Sequence, residues 1–520
     1  MNTVEAAYAK PGLELDQFDL AAAWFGYGFL PDRADQALAR LRELNVAEGS
    51  HARAALAAAL VNRSIDLANA QQLPESGKLV EELRQLHRNF PEPAVRRPLA
   101  MALFNRSNHP ANAQQLPESG ALVEELRQLH REFPEPAVRE QLAKALYNRS
   151  NHLAEAQQLP ESGELVEELR QLHHDFPESA VREQLAKALY NRSNHLANAQ
   201  QLPESGELVE ELRQLHREFP EPAVREQLAK ALYNRSFHLA NAQQLPESGE
   251  LVEELRQLHH DFPEPAVREQ LAKALVNRSI DLANARQLPE SGELVEELRQ
   301  LHRDFPEPAV REQLAKALVN RSIDLANARQ LPESGELVEE LRQLHHGFPE
   351  SAVRERLAKA LFNRSNDLAN AQQLPESGEL VEELRQLHRE FPEPAVRRPL
   401  AKALNNRSSH LANARQLPES GELVEELRQL HRDFPESAVR ELLAMALMTA
   451  ALLCYLSDPG QLPSALDRVQ EVRQLWEQFA EPALCQALSY GLRRLSQLLE
   501  HQFPDGLSQK LAEEADNLPC

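Results

Sequence analysis

Residues 179–221 read SAVREQLAKALYNRSNHLANAQQLPESGELVEELRQLHREFPE, and this stretch decides the fold. Its tetrad Leu202-Pro203-Glu204-Ser205 recurs at Leu73, Leu116, Leu159, Leu245, Leu288, Leu331, Leu374 and Leu417, so nine copies stand in step, 43 residues apart. A fixed period of this size marks an array of stacked units. One unit cannot bury its own apolar face, so its neighbours must supply the other side of the core.

Within the stretch, Val181, Leu185, Leu189 and Leu196 fall on one helical stripe, with Ala188 and Ala199 beside them. Ser179, which is proline in most copies, suits a helix start, because serine caps free N–H groups and proline fits the first turn. Gln201-Leu202-Pro203 predicts a turn; Pro203 can open a second helix but cannot continue one. Glu204 suits the positive end of that second helix. Leu208, Val209, Leu212 and Leu215 carry it towards Phe219, and Pro220 stops it. Gly206 in its first turn costs about 1 kcal/mol relative to alanine. Its return in every copy predicts a close approach of two backbones.

The ends depart from the repeat. Leu30-Pro31 lies 43 residues before Leu73, Leu462-Pro463 lies 45 after Leu417, and Phe479-Ala480-Glu481-Pro482 echoes the usual Phe-Pro-Glu-Pro. Terminal units cover the exposed ends of the core, so departures belong there, and Trp24 and Trp476 read as packing residues. The chain thus divides into a degenerate capping unit (1–49), nine near-identical helix-turn-helix repeats (50–436), and a degenerate repeat with a cap (437–520). The expected fold class is all-α: a solenoid of stacked antiparallel helix pairs, about eleven of them.

At Ala186-Lys-Ala-Leu-Tyr-Asn-Arg-Ser-Asn-His-Leu196 and Gln201-Leu-Pro-Glu-Ser205 the unit resembles the tetratricopeptide repeat. Leu189, Asn191, Ser193, Asn194, Leu196, Leu202, Glu204 and Ser205 match that family's pattern of large, small and polar residues in all nine internal copies. The unit is longer than the roughly 34 residues usual there. The resemblance implies a right-handed superhelix whose concave wall is lined by first helices, with an extended peptide bound along it.

The copies can be compared with one another. Three positions of the first helix vary. The trios are Val61-Ile65-Asp66, Phe104-Asn108-His109, Tyr147-Asn151-His152, Tyr190-Asn194-His195, Tyr233-Phe237-His238, Val276-Ile280-Asp281, Val319-Ile323-Asp324, Phe362-Asn366-Asp367 and Asn405-Ser409-His410. The first two members are four residues apart and share one face, away from the leucine stripe. Constant Asn148, Asn191, Asn234, Asn277 and Asn320, and Lys144, Lys187, Lys230 and Lys273, project on the same side. In the resembled family this face meets the ligand. An asparagine ladder offers donors and acceptors to a peptide backbone, the trios would choose its side chains, and the lysines would favour acidic ones. Duplication of linked blocks is the rival explanation of the trios.

Composition narrows the function. The 520 residues carry 57 Lys and Arg against 80 Asp and Glu, a net charge of −23. That disfavours nucleic acid, whose non-specific binding rests on cations at phosphates. The three cysteines all lie near the C-terminus, so no disulfide is expected to staple the repeats. With no basic-then-apolar leader pattern at the start, the expected location is cytoplasmic. The apolar run 442–456 reads as a core helix, too short for a membrane span. One histidine recurs in each second helix, and neighbouring pairs such as His173-His174 point about 100° apart, a poor chelate. No cysteine or carboxylate stands at a zinc-like spacing, so no metal or cofactor is expected. Nucleotide loops, nucleophile elbows and paired carboxylates are missing too, so no enzyme is expected. Arg192 and its counterparts predict ion pairs with glutamates of neighbouring second helices, and Pro110 predicts a bent helix end.

The expected function is a non-enzymatic scaffold that holds a protein or extended peptide, acidic or repetitive, along the concave face. The alternatives are a self-assembling structural scaffold or filament, and a single-stranded RNA reader in which one unit meets one base.

Overall fold

The computed structural model describes Phe25 and residues 33–47, 50–108, 116–500 and 506–519. Trp24, Leu30, Pro31, His109, Pro110 and Cys520 lie outside the described residues. The chain divides into two units, 1–271 and 272–520. Among the described residues every regular element is a helix.

In the first unit, helix Ala34–Ala47 precedes five pairs of a long and a short helix. The pairs are Ser50–Asn69 with Leu73–Asn89, Pro93–Asn108 with Leu116–Glu132, Pro136–Glu155 with Leu159–Asp175, Ser179–Asn198 with Leu202–Glu218, and Pro222–Asn241 with Leu245–Asp261. The second unit has Leu288–Asp304, then Pro308–Asn327 with Leu331–Gly347, Ser351–Asn370 with Leu374–Glu390, and Pro394–Asn413 with Leu417–Asp433. Its last pairs are Ser437–Ser457 with Leu462–Phe479 and Pro482–Leu499 with Leu507–Asn517. Helix Pro265–Asn284 carries the division.

Within each unit a long helix packs on its own short helix, on the long helices beside it, and on the short helix before it. Long helices therefore form one layer and short helices a second. The predicted stripes lie between the layers: Val181, Leu185, Leu189, Leu196, Leu208, Val209 and Leu212 are all buried. Buried serines mark where a pair crosses closely. Ser76 Oγ donates to the Ser64 carbonyl at 2.8 Å, and Ser119 Oγ to that of Ser107 at 2.9 Å.

Eight of the long helices are followed by a left-handed residue. Gln200 has φ 63°, and the Gln201 amide reaches back to the Leu196 carbonyl at 2.9 Å. These are the marks of a Schellman cap, a place that usually takes glycine. The next helix opens at Leu202 with Pro203 in its first turn.

The recurring glycine has a different cause from the one expected. A Cβ on Gly163 would lie 2.6 Å from Nη2 of Arg192, which arrives from the following long helix. The same guanidinium donates to the Leu159 carbonyl at 2.6 Å. In seven repeats glycine makes room for an arginine, not for a second backbone, whereas Gly421 has nothing within 4 Å. Nor is Arg192 the ion-pairing residue predicted. Burial, with Arg170 nearby, holds its pKa below the usual arginine value. In its series Arg63 and Arg106 do reach carboxylates, Asp35 and Glu118.

The ion pairs between repeats come from two other arginines. Arg170 grips Glu211 of the next short helix with both arms of its guanidinium, at 2.7 and 2.8 Å, and Arg84–Glu125, Arg127–Glu168, Arg299–Glu340 and Arg342–Glu383 repeat the pairing. Arg182 is buried; its guanidinium lies 3.9 Å from the centre of the Phe219 ring, donates to the Pro177 carbonyl at 3.1 Å, and pairs with Glu221. His173 meets the same ring edge-on at 5.6 Å. This clamp recurs through both units.

Helix Ser437–Ser457, with mean hydropathy 1.7, is long and apolar enough to span a bilayer by composition, but half of that stretch is buried against its neighbours. Cys485 is disulfide-bonded and Cys454 is free. The expectation that disulfides play no part thus applies only to the repeats, which contain no cysteine.

Candidate ligand-binding face

The variable positions lie on the outer side of the long-helix layer, and the structure sorts them. Val276 and Val319 are 0% and 1% exposed, and Val61 and Asn405 are also buried. As they stand, these four offer a ligand no surface, because a short side chain at this position sinks between adjacent long helices. The larger Phe104, Tyr147, Tyr190, Tyr233 and Phe362 at the same position stay half-buried. At the second position Ile65, Asn151, Asn194, Ile280, Ile323, Asn366 and Ser409 are half-buried, Asn108 is exposed, and Phe237 is 42% exposed.

The asparagine ladder is partly spent inside the protein. Asn191 Nδ2 donates to the Tyr147 hydroxyl at 3.0 Å and to Asn151 Oδ1 at 3.1 Å, both in the preceding repeat. Asn234 does the same with Tyr190 and Asn194, at 3.2 and 3.3 Å. The first two trio positions therefore act together: tyrosine and asparagine satisfy the next repeat's amide, whereas valine and isoleucine cannot. Asn363 shows the consequence. It follows the Val319-Ile323 repeat, and its Nδ2 is shielded from solvent with no partner.

Three of the lysines singled out on this face are not free cations either. Lys144, Lys187 and Lys230 pair with Glu140, Glu183 and Glu226 one turn earlier, at 2.5 to 2.6 Å. Lys273, Asn277 and Tyr233 are engaged as well. The third trio position adds carboxyl groups in the second unit. Burial pushes the pKa of Asp281, Asp324 and Asp367 up, while Arg278, Arg321 and Arg364 pull them part of the way back.

One open cavity on this face departs from the repeat pattern. It lies between Ser351–Asn370 and Pro394–Asn413, with a volume of about 410 Å³. Phe362 and Asn363 line it, with Lys359, Arg398 and Lys402 as cations and Glu355 as the one carboxylate. Pro399, also in its wall, has no N–H, so the Ala395 carbonyl lacks its helical donor. The trios alone did not reveal this site. The visible signal was Arg397-Arg398-Pro399 where most copies read Arg-Glu-Gln.

On the short-helix side, similar notches recur, one lined by Arg170, His173, Leu189, Glu211 and Phe219 and another by Arg342, His345, Leu361, Glu383 and Phe391. They follow from the packing, since adjacent short helices are bridged there by side chains. Among the described residues no group of three His, Cys, Asp or Glu could hold a metal ion.

No protein-family model matches the chain, and no curated protein matches it. Among solved structures, the apo form of RapI is 10% identical over 72% of this chain and 97% of its own, with a TM-score of 0.40. A chain from work on the phosphorylation switch in the cadherin–beta-catenin interaction is 16% identical over 94% of both chains, with a TM-score of 0.36. An engineered protein is 25% identical over 47% of this chain and 97% of its own, with a TM-score of 0.33. At TM-scores this low, these likenesses assign neither a family nor a ligand.

Proposed function

We propose that the chain is a non-enzymatic scaffold of the tetratricopeptide kind, which holds an extended protein segment along its long-helix face. The cavity between Ser351–Asn370 and Pro394–Asn413 carries this reading, because it is open and joins an aromatic wall to the cations Lys359, Arg398 and Lys402. An extended chain suits such a face. Successive long helices offer one patch each, and weak contacts sum along a continuous ligand. The ladder takes a smaller part than its spacing promised, since Asn191 and Asn234 spend their N–H groups between repeats.

Photo-crosslinking tests this reading. A benzophenone side chain placed at Phe237 or Phe362 should trap a partner polypeptide from cell extract, and one at Gln386, on the short-helix side, should not. Trapping from Gln386 alone would move the binding site to the other layer and end the proposal.

A further inference from the structure

Four successive long helices of the second unit carry side chains in one register on the proposed binding face. Lys359, Lys402, Met445 and Tyr490 are each the ninth residue of their helix. Two cations are thus followed by two apolar side chains. Met445 is 44% and Tyr490 63% exposed, and exposed Leu456 shares the Met445 side of its helix. Large apolar side chains grouped in the open mark a contact surface.

The cationic half is set apart by one exchange. Lys187 has Glu183 one turn before it, but Lys402 has Arg398. Like charges at this spacing weaken a helix, so the exchange works against the helix that carries it. No ion pair engages Lys359, Arg398 or Lys402 among the described residues. The other copy with Arg-Arg-Pro, at 96–98, has Met101 in this register and Ala58 in the helix before. The cationic pair followed by the apolar pair therefore occurs once, in a chain whose net charge is −23.

A segment of matching order exists in the chain itself, outside the described residues. Residues 13–20 read Leu-Glu-Leu-Asp-Gln-Phe-Asp-Leu, with three carboxylates and no cation. In an extended chain alternate residues share a side, which groups Glu14, Asp16, Phe18 and Leu20 in that order. Their spacing is about 6.7 Å, against about 8 to 10 Å between packed helices, a difference that long lysine and arginine side chains can span. We infer that the row docks residues 13–20 of a second copy: Glu14 and Asp16 meet Lys359, Arg398 and Lys402, and Phe18 and Leu20 cover Met445 and Tyr490. The contact joins unlike surfaces, so copies add head to tail and need not close at two. The inference rests on the long-helix face being the binding face.

The test uses the full chain and a fluorescein-labelled peptide of residues 11–22, read by fluorescence anisotropy. The peptide should bind, less tightly as salt rises. A twin with Glu14→Gln and Asp16→Asn, and separately the Arg398→Glu chain, should each weaken binding by about tenfold or more, the scale of a lost charge contact. Arg398→Glu restores the Glu–Lys pair of other repeats, so the helix should survive, which circular dichroism checks. Arg432→Glu, on the short-helix side, serves as the charge-matched control. In sedimentation, the wild-type mass should rise with concentration and that of Arg398→Glu should not. Equal affinity for peptide and twin, no effect of Arg398→Glu, tighter binding of oligo-dT than of the peptide, or a mass that never rises would each overturn the inference. If any of these occurs while Phe362 still crosslinks a partner, only the inference falls. If the peptide fails to bind and Gln386 alone crosslinks, the binding face falls with it.

Discussion

Arg182 shows how much one side chain can hold in a repeat. Its guanidinium covers the Phe219 ring, satisfies the Pro177 carbonyl and pairs with Glu221, which also precedes the next long helix. The hydrogen bond from Arg182 is the main reason that the Glu221 carboxyl titrates below its ordinary range. Breaking a buried pair typically costs about 3–5 kcal/mol; Glu221 keeps some solvent, so Arg182→Ala should fall near the lower end. An array need not unfold in two states, so the measurement is amide hydrogen exchange across residues 219–225. Unchanged protection there would show the clamp to be idle. The other arginine series makes a separate prediction. Gly206→Ala should gain about 1 kcal/mol of helix propensity, but its Cβ would meet Arg235 Nη2 at 2.6 Å. In the wild-type background that gain should vanish, and in an Arg235→Ala background it should return. A double-mutant cycle by urea denaturation reads the difference.

The helices end where their sequence says they should, at a cost the sequence did not show. Gln200 and its counterparts, including Gln243 and Arg286, adopt positive φ without being glycine. A left-handed conformation costs an ordinary residue roughly 1–2 kcal/mol. Gln200→Gly should therefore raise local stability by about 1 kcal/mol, seen as slower amide exchange in Leu196–Leu202; faster exchange would mean that the glutamine side chain stabilises the turn. Element type and boundary were legible because proline, turn and leucine stripe recur in phase: the second helix expected to open at Pro203 and run towards Phe219 is observed at Leu202–Glu218, one residue earlier at its start. Side-chain partners were not legible to the same degree. Gly206 and Arg192 were correctly singled out, but their partners come from neighbouring repeats, and spacing within one repeat cannot name those. The proposed binding face was half legible. Phe237 and Phe362 do reach its surface, but Val276 and Val319 sink from it, because side-chain size at one position decides depth between packed helices. Arg398 could have been found earlier by asking which copy loses the glutamate before its lysine.

Across the whole molecule the same histidine environment is written many times, and repetition makes its acid response large. His87, His130, His173, His216, His302, His345, His388 and His431 all titrate below the ordinary value of 6.5, first because burial disfavours the imidazolium. A clamp arginine beside each adds repulsion. At His173 these groups are Arg182 and His174, opposed by Glu218 and Glu221. Folding thus lowers each pKa, so the unfolded chain takes up protons that the folded chain refuses. Stability is full above about pH 6.5 and is lost as pH falls from there through the folded values, at up to about 1.4 kcal/mol per pH unit for each histidine in that window. Asp281, Asp324 and Asp367 act the other way, because their raised pKa values let the folded chain bind a proton first as pH falls. They are three, against these eight histidines and His195, His238 and His410, which burial also holds below 6.5, and begin nearer 3.8, so the histidines should dominate between pH 6.5 and 5.5. Urea midpoints followed by circular dichroism at pH 7.5, 6.5 and 5.5 should fall steadily over the lower interval and hardly move over the upper one. Replacing these eleven histidines and His259, the remaining member of the short-helix series, with glutamine, which keeps a polar side chain but cannot take up the proton, should flatten the lower interval. A slope that survives this replacement would show that these histidines do not carry the acid sensitivity.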